Sequence, residues 1–142
     1  MKSLVEINHL VKYFDIGTNQ RVHAVDDVSF SINPREIVGL VGESGSGKST
    51  LGKTLLGLHD KTSGSVSFAG QQLPQRYQAK DFRAMAPKMQ MIFQDPYSSL
   101  NPRMTVGEIV AEGLRLQPEL STSDVQERVS QWLSLVGLSP DH

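Results

Sequence analysis

The sequence predicts an α/β fold that begins as an antiparallel β subdomain and ends in helices. Three observations carry this prediction. Period-2 alternation of apolar and polar residues runs through 4–14 and 28–32, an apolar run (IVGLV) occupies 37–41, and apolar residues at helical spacing recur in 48–58, 105–116 and 123–136.

In 28–32, Val28, Phe30 and Ile32 face one way and Ser29 and Ser31 the other, so this segment and 4–14 read as strands with one wet face. Residues 15–20 (DIGTNQ) are turn-forming, and Asn33-Pro34-Arg35-Glu36 is a second turn because proline pre-sets its backbone angle. At 37–41 both faces are apolar, as in a central strand of a helix-covered parallel sheet. A loop at 42–47 leads into a helix over 48–58, with Leu51, Leu55 and Leu58 on one stripe. After His59 come a polar turn at 60–64, a short strand at 65–69 and a turn at 70–72. Residues 81–86 form a short helix ended by Pro87, and 89–93 read as a second buried strand. The stretch 95–103 (DPYSSLNPR) is an extended loop with two prolines, and Thr105-Val106-Gly107-Glu108 is a capping box opening a helix to Leu116. A last helix from Ser123 carries Val125, Val129, Trp132, Leu133 and Val136 on one face, with Gly137 as its C-terminal cap and Pro140 beyond.

The 142 residues suffice for one domain at most, and 14 Lys+Arg against 15 Asp+Glu leave a formal net charge of -1. With no run of three basic residues, the electrostatic footprint of a protein that holds nucleic acid by itself is missing, and no nucleic-acid partner is expected. A composition of 38% apolar and 20% charged residues is that of a globular chain able to build a core. The lack of cysteine excludes disulfides, thiolate catalysis and Cys-ligated zinc or iron-sulfur centres. No stretch approaches the apolar length of a membrane span, and Glu6 and Asn8 interrupt what a secretory signal would need, so a cytoplasmic location is expected.

One motif carries chemistry. Gly42, Glu43, Ser44, Gly45, Ser46, Gly47, Lys48 and Ser49 fit G-x-x-x-x-G-K-[ST], placed after the predicted buried strand and before a helix. In such a loop, backbone N–H groups point at phosphates, the helix dipole favours their charge, and glycines let the chain approach closely. Lys48 would reach the β- and γ-phosphates, and the Ser49 hydroxyl would complete part of a Mg²⁺ shell. GTPases are disfavoured because no N-K-x-D motif is present.

Gly42 through Thr50 (GESGSGKST), followed by Met91-Ile92-Phe93-Gln94-Asp95-Pro96, resembles the ATP-binding subunit of an ABC transporter, with the first block as Walker A and the second as Q-loop. The string FQDPYSSLNPRMTVGE at 93–108 is similar to the branch serving dipeptide, oligopeptide and nickel importers. The resemblance implies a partial P-loop NTPase core with an N-terminal antiparallel β subdomain and the start of a helical subdomain. It divides the chain into an ATP-binding core at 1–94 and a Q-loop exit with an incomplete helical subdomain at 95–142. It further implies ATP and Mg²⁺ as cofactors, Gln94 as a second Mg²⁺ contact at a strand-to-loop hinge, and an aromatic ring stacked on adenine. Lys12-Tyr13-Phe14 offers two rings for that role, and the family's Lys-x-aromatic pattern favours Phe14. Implied partners are transmembrane permease subunits, reached through the loop after Gln94, a second ATP-binding subunit and, indirectly, a substrate-binding protein. The implied location is peripheral, on the cytoplasmic face of a bacterial cell membrane.

Three parts of the family pattern are missing: the L-S-G-G-Q signature, an apolar strand ending Asp-Glu, and the switch His. The second Mg²⁺ ligand and the general base would come with that strand, so the chain is expected to be an N-terminal portion of a transport ATPase. A vestigial, non-catalytic nucleotide-binding fragment is the rival reading; a small-molecule kinase is a third, disfavoured because the arginines after the loop are scattered. His9, His23, His59 and His142 have no metal-binding spacing, Asp26-Asp27 reads as a solvated turn, Trp132 as helix core, and Met85, Met89 and Met91 as packing.

Overall fold

The computed structural model describes residues 3–95, 97–117 and 119–139, with the side chain of Ser98 left out. Pro96 of the Q-loop string, Pro140 and His142 lie outside the described residues. The chain divides between Gln90 and Met91 into two compact units.

The first unit is a four-stranded antiparallel sheet of order β2-β1-β3-β4, with β1 at Val5–Ile16, β2 at Gln20–Ile32, β3 at Ser63–Phe68 and β4 at Gln71–Gln72. Alternation sets the register: Val5 lies opposite Ile32 and Phe68, and Ile7 opposite Phe30 and Val66. The residues that this places inward, Ile7, Leu10, Val25 and Val66, form the core with Leu51, Leu73 and Tyr77, and Leu10 is 0% exposed. Helix α1, Lys48–Leu55, contributes Leu51, while the hydroxyl of buried Thr54 is satisfied by donating to the Thr50 carbonyl (2.7 Å). Lys61 is also buried: its ammonium donates to the Pro74 carbonyl, and burial holds its pKa below the ordinary value. Helix α2, Ala79–Met85, completes the unit.

Strand β2 reaches back to Gln20, so the hairpin turn is confined to 17–19. Asp26 and Asp27 therefore lie within a strand and form no separate turn. The β1–β2 register shifts between Ile7 and Leu10 and again between Leu10 and Lys12, and His9 (φ 48) and Asp27 (φ 52) adopt left-handed backbone at these irregularities. His9 Nδ1 lies 2.7 Å from the Asp27 carboxylate, which ties the two strands together where their ladder is broken.

Two expected strands do not form. Residues 37–41 make no ladder among the described residues, and Ile37 and Val41 are 98% and 91% exposed. Residues 89–93 are likewise without regular structure, with Ile92 94% exposed. A contiguous apolar run suits a strand covered on both faces, but a strand exists only when a neighbour takes up its N–H and C=O groups. The sheet among the described residues pairs these segments with nothing. Helix α1 also stops at Leu55, before the predicted Leu58, which is exposed.

In the second unit a 3₁₀ turn at Tyr97–Ser99 precedes α3, Val106–Arg115, and α4, Thr122–Leu135. Each α-helix opens with a capping box: Glu108 N–H donates to the Thr105 hydroxyl (3.2 Å) and Asp124 N–H to that of Ser121 (3.2 Å). Ala111 and Leu114 pack with Val125, Val129 and Leu133. Trp132 and Val136 are exposed and do not belong to that core, because the i, i+4, i+8 stripe that is buried is centred on Val129.

Candidate nucleotide-binding site

Glycine-rich residues 42–47 cannot start a helix until the chain has turned, and the turn is made by Gly45 (φ 83) and Gly47 (φ 90) in left-handed backbone. Gly47 is the N-cap of α1, and the first helical bond runs from Leu51 N–H to its carbonyl (2.8 Å). A β-carbon on Gly47 would lie 2.0 Å from the Ala24 carbonyl oxygen, so only glycine lets the loop seat against β2. With no side chain on Gly47 to cap them, the first-turn N–H groups of Lys48, Ser49 and Thr50 end a helix whose first turn contains no acidic residue. That donor set suits a polyphosphate.

Lys48 belongs to the loop as much as to the helix. Its ammonium donates to the carbonyls of Gly42 (2.7 Å) and Glu43 (2.6 Å) and lies 3.2 Å from the Ser46 hydroxyl. Three donors thus span the loop and bring a positive charge across its mouth. Ser46 N–H closes back on the Glu43 carbonyl (3.2 Å). Ser44, Ser46 and Ser49 are exposed, and the Ser49 hydroxyl is a hard oxygen donor of the kind Mg²⁺ takes. Among the described residues no group of three His, Cys, Asp or Glu side chains could hold a metal by itself. A divalent ion at this loop would therefore depend on phosphate and hydroxyl oxygens.

The two candidate aromatic residues differ in what surrounds them. Successive residues of β1 point to opposite faces of the sheet, and Tyr13 stacks on His23 (centroids 3.8 Å apart, 18° between planes) while its hydroxyl donates to the Asp26 carboxylate. That hydrogen bond raises the Tyr13 pKa and lowers that of Asp26. Phe14 is half-buried and stands nearly perpendicular to the His59 ring (centroids 5.2 Å, 87°), with the Lys12 ammonium 4.5 Å from its centroid. Its register partner is Val22, two residues along β2 from Ala24, against which the loop is seated. Phe14 and the loop thus share the first unit and its second strand. Gln94 belongs to the second unit, where it is exposed at a bend.

The sequence reading missed the surroundings of these groups. Ala24 offers only a backbone oxygen, which no side-chain pattern reveals. His59 lacks metal-ligand spacing, and its contact with Phe14 spans 45 residues of chain.

Sheet, seated loop and helix N-terminus together have the geometry of the phosphate-loop class of proteins. The profile of the ABC transporter family matches residues 25–142. The chain belongs to that family, as an ABC ATP-binding domain. It is 46% identical over 142 residues to the oligopeptide transport ATP-binding protein OppF of Bacillus subtilis, covering 99% of this chain and 46% of that protein. To OppF of Haemophilus influenzae it is 43% identical over 147 residues, covering 97% and 44%. The chain spans a little under half the length of these relatives. The fold is that of a solved ATP-binding cassette, MJ0796, captured as a post-hydrolysis dimer with ADP and phosphate: TM-score 0.81 at 24% identity, covering 95% of this chain and 58% of that one.

Proposed function

We propose that this chain binds Mg-ATP as part of the ATP-binding subunit of an importer for peptides or a related small solute. The observation that carries the reading is the loop at Gly42 to Thr50, spanned by Lys48 and seated on β2 at the end of an uncapped helix. Two relatives named as oligopeptide transport proteins support the cargo class. In this reading the N–H groups of 45–50 and the Lys48 ammonium take the phosphates, Ser49 faces Mg²⁺, and Phe14 meets the base. The family pattern gives Gln94 the remaining Mg²⁺ contact. ATP supplies the energy of transport when bound and hydrolysed. Nucleotide binding is the activity proposed for these 142 residues.

The proposed partners are membrane permease subunits and a second ATP-binding subunit, with a substrate-binding protein acting through the permease. Among the described residues no helix is long and apolar enough to cross a membrane, which suits a peripheral place on the cytoplasmic face.

The test is calorimetric titration of the chain with Mg-ATP and with inorganic tripolyphosphate, beside Lys48→Ala. Binding of both ligands, weakened at least tenfold by the substitution, is expected, because an ammonium on a phosphate is a charge-assisted contact. Binding indifferent to Lys48, or none at all, overturns the proposal.

A further inference from the structure

His59 follows α1 by four residues, and its backbone N–H lies 3.4 Å from the Lys53 carbonyl, so the backbone of His59 is tied to the far end of the helix whose near end forms the phosphate loop. There its ring meets Phe14 at right angles, one of the two favoured arrangements of an aromatic pair. Lys12, two residues before Phe14 on β1, brings its ammonium to the same ring. Phe14 is therefore contacted by two side chains, yet it remains partly exposed. The separation is also suitable. Two steps along β2, about 7 Å of strand, separate Ala24, where the loop is seated, from Val22, the register partner of Phe14. That is a span a nucleoside triphosphate can bridge between its phosphates and its base.

We infer that His59 is a positioning residue for the nucleotide base: its ring braces Phe14 and sets the plane on which the base stacks. The inference rests on the reading of Phe14 given above. The brace works with a neutral imidazole. Burial, then Lys12 on β1 and Lys53 on α1, hold the His59 pKa below its ordinary value of 6.5. Protonation would set a third cation beside two others, and the ring would move away from them.

The experiment compares Mg-ATP, which has a base, with inorganic tripolyphosphate, which has none, on the full chain and on Phe14→Ala, His59→Ala and His59→Phe. The ratio of the two affinities isolates the base. His59→Ala is expected to lower ATP affinity about two- to tenfold, the value of a perpendicular aromatic pair, and to leave tripolyphosphate unchanged. His59→Phe restores the contact and the ratio. In the unsubstituted chain the ratio falls as pH drops through the lowered His59 pKa, and in His59→Phe this pH dependence disappears. If His59→Ala leaves the ratio unchanged while Phe14→Ala lowers it, the inference is overturned and the Phe14 reading stands. Equal weakening of both ligands by His59→Ala reduces His59 to a structural role and also overturns the inference. If Phe14→Ala leaves the ratio unchanged, or the unsubstituted chain binds neither ligand, the reading beneath it has failed. Should His59→Ala not fold, the pH profiles of the unsubstituted chain and His59→Phe decide, and matching profiles overturn the inference.

Discussion

Replacing Gly47 by alanine tests whether the phosphate loop is held in place by its seat on β2. The new β-carbon would stand 2.0 Å from the Ala24 oxygen, where real contacts are never under 3.0 Å, so loop and strand must separate by about 1 Å (3.0 minus 2.0). The backbone adds its own cost, since alanine at φ 90 is in the left-handed region, about 1–2 kcal/mol. Gly45→Ala provides the control. It carries the same backbone cost at φ 83 but meets nothing within 4 Å. Forced overpacking costs about 1–3 kcal/mol, so the two variants are expected to differ by that amount in urea unfolding, Gly47→Ala being the less stable. Because the displaced part is the helix N-terminus, tripolyphosphate affinity is expected to fall further in Gly47→Ala than in Gly45→Ala. Two variants of equal stability and equal affinity would refute the seat as the organising contact.

Leu10→Ala, at a side chain with 0% exposure between β2 and β3, is expected to cost about 2–5 kcal/mol in the same unfolding assay, and a loss under 1 kcal/mol would show a core able to collapse. Thr105→Ala removes the acceptor of the Glu108 N–H and is expected to cost the second unit about 1 kcal/mol, read as faster amide exchange in the first turn of α3. The carboxylates of both capping boxes have lowered pKa values: Glu108 through the Thr105 N–H and then its hydroxyl, Asp124 through the Ser121 hydroxyl and then its N–H. A folded pKa below the unfolded one gives stability that is present above the ordinary values of 4.5 and 3.8 and lost as pH falls through the folded ones. Thermal melts of the chain between pH 6 and pH 3 should therefore decline, and Glu108→Gln with Asp124→Asn should flatten the decline; an unchanged slope would refute the assignment.

What could be read from the sequence was local. The phosphate loop is written in glycine spacing and a following leucine stripe, the third helix in the Thr105–Glu108 capping box and the fourth in its apolar stripe. Strands β1 and β3 and the second half of β2 follow from alternation. Its first half did not, because Arg21 and His23 interrupt the apolar rhythm while the ladder with β1 continues through them, and Asp26 and Asp27 lie unpaired where the register shifts. The segments at 37–41 and 89–93 failed for the opposite reason: their composition is that of buried strands, but composition cannot supply a neighbour. Trp132 was placed in the core because it is apolar and near the stripe, yet one position along a helix turns a side chain by about 100°, enough to reach solvent. For the site, the ligand-facing residues were legible and their supports, Ala24 and His59, were not, since both act across long stretches of chain.

Strand β2 lies at one end of the sheet, where thirteen residues of backbone could template a strand from another molecule. The left-handed residue at Asp27 breaks that template near its middle, and two exposed carboxylates mark the break. The Ala24 oxygen is closed off by Gly47. An irregularity that costs the hairpin part of its ladder thus divides the free edge into two short pieces, and one of them is partly covered by the loop that would hold a phosphate. The contact that seats the loop thus also interrupts the run of edge backbone that another strand could pair with.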